Sequence, residues 1–192
     1  GHPFAGHPLI PTVESIPELW LLGSGLSSAR IAAQLGIGYT FAGFINPQAA
    51  ERALQTYRAE FVDTPFGAGV PRAMLGINAS VGETAEEGDR LSLSGKGYYN
   101  RLQQGNYKAF VPTVDEATAE LGDAAREEPT RVIGAQWPRF VAGSAQDVRA
   151  TCQQMMEESG ADELIVQSMI ANPDDRNRSY THLARAFDLG AG

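Results

Sequence analysis

The sequence contains a single cysteine, Cys152, in 192 residues. One thiol cannot build an internal disulfide framework, and its isolation points to a reducing compartment. Histidine is almost as scarce. His2, His7 and His182 have no second ligand at metal spacing, so the expectation is no metal site. No apolar run approaches the ~20 residues of a membrane-spanning helix, and no signal-peptide pattern opens the chain. Fifteen basic residues stand against twenty-three acidic ones, for a net charge of −8. The basic residues are scattered among acids, which argues against the clustered positive face of a nucleic-acid binder. These absences imply a soluble, acidic, cytoplasmic protein that engages neither nucleic acid nor membrane.

Catalytic signatures are missing as well. There is no Gly-x-Ser-x-Gly elbow and no Gly-Lys-Ser/Thr phosphate loop. Gly23-x-Gly25 lacks the acidic residue that a dinucleotide fold places about 20 positions on to hold a ribose, because nothing acidic occurs between Glu18 and Glu51. Cys152 shares a helical face with Val148 and Met156 and reads as a core thiol. Arg176, Arg178 and Arg185 read as partners of the acidic surface. The residues offer a place to bind but no reagent, a pattern suited to an enzyme that borrows its chemistry from a cofactor.

What is present is periodic. Four β-like runs, residues 18–22, 39–44, 73–81 and 163–170, are nearly continuously apolar or rich in β-branched and aromatic residues, as strands buried on both faces are. A helical pattern follows each. The clearest places Ala50, Ala53, Leu54, Tyr57 and Phe61 on one stripe. Alternation of this kind predicts an α/β protein with a parallel sheet. We divide the chain, as one partial domain over 1–192, into an irregular lead-in (1–17), three βα units (18–93), a long insertion (94–139), and a final helix, strand and terminal helix (140–192). FVAGSAQDVRATCQQMMEESG reads as loop plus helix, with Ser144 as N-cap and Gly160 as terminator. A start at Gly1 with no periodic lead-in is the expected look of a segment from within a longer protein, and processing of the chain would produce the same start.

The segment WLLGSGLSSARIAAQLG is a strand, a tight turn and a helix start. Ser27 or Ser28 is positioned to cap that helix. Free N–H groups in its first turn would favour an anion by roughly 0.3–1 kcal/mol through the helix dipole alone. Two readings stay open from the residues: a phosphate grip, or a βα loop whose glycines serve geometry only.

Several ordered motifs together resemble the bacterial luciferase-like flavin-dependent monooxygenases. They are Trp20 to Pro47, the Tyr57-Arg58-Ala59-Glu60-Phe61 helix, GINASVGETAEE, Gly143-Ser144-Ala145-Gln146-Asp147-Val148, Asp162-Glu163, and the terminal helix from Arg178 to Ala184. The resemblance implies the C-terminal half, strands 5–8, of a TIM (β/α)₈ barrel with a long insertion before the last unit. It implies FMN, with reduced FMN as co-substrate, and places the flavin phosphate at Ser24, Gly25, Leu26, Ser27 and Ser28. Members of the closest subgroup usually have Ser-Ser where this chain has Ser24-Gly25, so one hydroxyl contact would be replaced by backbone N–H. Phe41, Phe44 and Asn46 would line the substrate pocket, and the insertion over 94–139 would act as a lid. The implied activity is oxidation of a small organic substrate such as an aldehyde by O2, with a separate flavin reductase as the source of reduced flavin. A half-barrel exposes two edges, so a complementing half or another copy of the chain is the expected partner. The alternative is a non-catalytic flavin-binding or assembly protein of the same fold. No catalytic residue is assigned.

Overall fold

In a computed structural model, the structure describes residues 17–190 except 66 and 68, together with 3, 6 and 7. Most of the 1–17 lead-in, and His2, therefore lie outside the described residues. The elements run β1 (Trp20–Gly23), α1 (Leu26–Leu35), β2 (Gly38–Ala42), a 3-10 turn (Pro47–Ala49), α2 (Ala50–Ala59), β3 (Ala73–Gly82), α3 (Ala85–Gln103), α4 (Val114–Glu120), α5 (Asp123–Arg126), β4 (Phe140–Ser144), α6 (Ala145–Ser159), β5 (Glu163–Gln167) and α7 (Pro173–Ala186). All strand pairs are parallel, as the alternation of strand and helix predicts.

β3 organises the sheet. Met74, Leu75 and Gly76 pair with β2 on one side and with β5 on the other. Asn78 pairs with both Phe140 and Gln167, so β4 lies on the β2 side of β3. β2 ends beside Gly76 and β4 begins beside Asn78, leaving a step between the two strands.

Tyr39, Phe41, Leu75, Ile77 and Val81 share one face and pack with Ala29, Ala33, Leu54, Tyr57, Val148 and Met155 from α1, α2 and α6. Each large apolar side chain so buried contributes about 1.5–3 kcal/mol. Tyr57 combines burial with a bond from its hydroxyl to the Ile37 carbonyl at 2.9 Å, which keeps its polar end satisfied.

Two expectations need correction. FVAGS is a strand, β4, so the sheet has five strands among the described residues rather than four. Helix α3 runs to Gln103, ten residues into the stretch read as irregular insertion. Its glycines are close-approach positions. A Cβ on Gly95 would press on the Phe140 ring, and one on Gly97 would meet Pro112 and Ala117.

Candidate functional site

The carboxyl ends of parallel strands are where βα proteins bind ligands, because helix N-termini converge there. Of the five helices that follow a strand, three are closed by a side-chain cap, and α2, which starts after the 3-10 turn without one, has Glu51 in its first turn. Thr84 caps α3, Ser144 caps α6 in a full capping box, and Asn172 caps α7; each also has a carboxylate in its first turn. At α6 the Ser144 hydroxyl donates to Asp147 at 2.6 Å. That bond, with the Ser144 N–H and Arg131, holds the Asp147 carboxyl below its ordinary value.

Helix α1 differs. Its N-cap is Gly25, in extended conformation (φ −158°), with no side-chain cap and no acidic residue in the first turn. A Cβ at Gly25 would meet nothing within 4 Å. The expected Ser27 or Ser28 cap is therefore not formed. Ser28 instead turns back, donating to the Gly25 carbonyl at 2.8 Å and sharing a hydrogen bond with the Tyr39 hydroxyl at 3.0 Å. Tyr39 also donates to Gly25 O at 3.2 Å, and burial raises its pKa against the opposing pull of Ser28. Ser28 and Tyr39 thus hold the turn, while Ser24 and exposed Ser27 keep hydroxyls that no described side chain engages. Leu26 packs against the core.

The second strand end comes to the same place. Asn46 donates from Nδ2 to the Ser24 carbonyl at 3.3 Å, joining the two expected groups of site residues. Phe44 lies against Gly76, and its carbonyl accepts from Tyr99 at 3.0 Å. Phe41 does not reach an opening: its ring is fully buried on the helix side, edge-on to Tyr39 at 6.4 Å. The alternation of a strand explains this, since Tyr39 and Phe41 share a face and Thr40 and Ala42 take the other.

A cleft of about 260 Å³ opens in the step between β2 and β4, lined by Asn46, Gln48, Gln136, Trp137, Arg139 and others. Gln48 fixes one wall through both ends of its amide, donating to Trp137 O at 2.8 Å and accepting from Trp137 N at 3.4 Å. Arg139 carries no motif that would have marked it in the sequence; only the step in the sheet brings it beside Asn46.

In this parallel α/β sheet, Asn46 joins the open start of α1 to the cleft beside Trp137 and Arg139. The family model for luciferase-like monooxygenase matches residues 2–163, and the chain belongs to that family. It is 34% identical over 189 residues to the uncharacterized protein YceB of Bacillus subtilis, covering 97% of this chain and 55% of that protein. Among solved structures, apo-MsnO8 matches with 38% identity and a TM-score of 0.83, over 97% of this chain and 56% of the other. The oxygenating constituent of 3,6-diketocamphane monooxygenase from Pseudomonas putida, in complex with FMN, matches at 16% identity with a TM-score of 0.57, over 92% and 50%; that likeness is one of fold. The chain spans about half the length of the curated relatives it matches.

Proposed function

We propose that the chain is the flavin-binding part of an FMN-dependent monooxygenase, acting with reduced FMN and O2 on a small organic substrate such as an aldehyde. The observation that carries this is the start of α1, which has neither a side-chain cap nor a first-turn carboxylate, whereas α3, α6 and α7 have both and α2 and α5 keep the carboxylate. The residues fit a phosphate monoester. The first-turn N–H groups from Leu26 to Ser28 and the hydroxyls of Ser24 and Ser27 supply donors, and the missing Gly25 side chain leaves room for the oxygens. When bound, reduced flavin supplies the electrons for oxygen chemistry. The chain's own part is to hold the phosphate, to keep the turn rigid through Ser28 and Tyr39, and to shape the cleft beside Asn46. A flavin reductase would deliver the reduced cofactor, and a complementing half-barrel or second copy would complete the pocket.

The test is a Gly25→Asp substitution, which builds a carboxylate cap where the phosphate would sit. The added cap should leave stability equal or higher, since Asp is a strong N-cap. FMN binding, followed by quenching of flavin fluorescence, should fall at least tenfold. Undiminished binding would remove α1 from the site. A second reading is a non-catalytic flavin-binding protein of the same fold. Turnover of reduced FMN that yields an oxygenated product rather than peroxide alone excludes it.

A further inference from the structure

Eight of the thirteen arginines in this acidic molecule answer carboxylates; among them, Arg58 meets Asp162 at 2.8 Å, Arg72 meets Glu18 at 2.7 Å and Glu163 at 3.1 Å, and Arg131 meets Asp147 at 3.4 Å. Arg139 does not. Among the described residues its side chain enters no ion pair or hydrogen bond, and its Nε is buried with no partner. Its guanidinium is nevertheless held in place. It lies over the Tyr99 ring, 5.4 Å from the centroid. Tyr99 is itself fixed by its bond to Phe44 O and by edge-on contact with Phe140 at 5.4 Å. A planar, stacked guanidinium with unused donors is pre-organised to meet a planar oxyanion.

The surroundings narrow the ligand. Arg139 lines the cleft between β2 and β4, whose walls include Pro47, Pro129, Pro138 and Trp137. These surfaces suit a carbon skeleton better than a bare hydrated ion. Glu128 lines the same cleft without pairing with Arg139, and its main chain is tied away by a bond from Lys96 Nζ at 2.7 Å. We propose that this cleft is an oxyanion-binding subsite in which Arg139 recognises the carboxylate of a small organic acid. The assignment deepens the proposed function by giving the small organic substrate a carboxylate besides the group that is oxidised, and it rests on that reading only for calling the acid a substrate. A phosphate shares the same chemistry and could reach Arg139 from the cofactor, because Asn46 connects the cleft to the α1 turn.

The experiment titrates the chain, without flavin, with benzoate, benzamide and inorganic phosphate, reading the Arg139 Nε–Hε resonance. That resonance is assigned by its loss in Arg139→Gln. Benzoate should bind and shift it, and the uncharged benzamide should not. Arg139→Gln should weaken benzoate binding at least tenfold, and Arg139→Lys, which keeps charge but not the fork, should fall between. Glu128→Gln, which removes the competing negative charge, should tighten binding about threefold or more by relieving a like-charge repulsion. A merely structural role for Arg139 would not predict this opposite sign. Benzoate binding that survives Arg139→Gln, or fails to exceed that of benzamide, overturns the proposal. So does a preference for phosphate together with loss of the distinction between FMN and riboflavin in Arg139→Gln, which would assign Arg139 to the cofactor. Should Arg139→Gln lose its native circular dichroism, Glu128→Gln decides alone, and unchanged benzoate affinity there overturns it. Because no flavin enters the anion titrations, failure at α1 and failure at Arg139 are read separately.

Discussion

Cys152 lies wholly inside the core on α6, and burial pushes its thiol up to about 12. Folding therefore holds the proton more tightly than the unfolded chain, whose thiol ionises near 9.0. The stability this gives is complete below pH 9 and is lost as pH rises from 9 towards 12, with a slope approaching ~1.4 kcal/mol per pH unit. Urea unfolding at pH 8 and pH 10 should show the gap between the wild type and Cys152→Ala narrowing by about 1.4 kcal/mol. Thiol reagents should label Cys152 only after unfolding. Tyr39→Phe should cost about 1–2 kcal/mol by removing the hydroxyl that steadies Gly25 and Ser28, and should weaken FMN binding without touching the cofactor. The helical face of Cys152 made its burial legible in the sequence. The roles of Ser28 and Phe41 were not legible. A serine in a first turn has several carbonyls to choose from, and an aromatic at a strand end declares its side of the sheet only when the strand's register is known.

At the scale of elements, α3 crosses β4 with backbone against backbone. A Cβ on Gly88 would overlap the Gly143 carbonyl. Gly143 itself has φ +142°, a conformation that L side chains rarely adopt. Gly88→Ala should lower the urea midpoint by the equivalent of about 1–3 kcal/mol with an unchanged slope. Further along the helix, buried Lys96 donates to the carbonyls of Arg126 at 3.0 Å and Glu128 at 2.7 Å, and desolvation lowers its pKa. Lys96→Met should speed amide exchange across residues 126–130 about tenfold or more while the core strands stay protected, because only local opening loses those bonds. The sequence showed α1, α2, α6 and α7 because each carries an apolar stripe or a clear cap. It hid the second half of α3 because glycine reads as a breaker when it is in fact a packing surface. It hid β4 because FVAGS offers only two large apolar residues before it turns small.

For the whole molecule, the outer edges of β1 and β5 have no strand partner among the described residues. Leu22 and Ile165, 61% and 47% exposed, lie on the sheet face turned away from α1, α2 and α6. If the proposed complement covers this face, sedimentation velocity should show association that grows with concentration, and Leu22→Lys with Ile165→Lys should abolish it. A wild-type chain that stays monomeric at high concentration would count against self-pairing and favour a separate complementing segment. No described helix is long and apolar enough to cross a membrane. The parallel α/β architecture was legible from the repeated order of strand and helix; the branching of the sheet at β3 was not, because pairing partners distant in sequence leave no local periodicity. That branching bears on how the chain is made. Ala73, at the start of β3, bonds to Asp162, 89 residues later, at the threshold of β5. At roughly 5–20 residues per second of synthesis, on the order of ten seconds separate the emergence of these two strands from the ribosome. Through that interval β3 presents one bare edge of apolar and small residues to every nascent neighbour, and a chaperone acting during translation would find its substrate there.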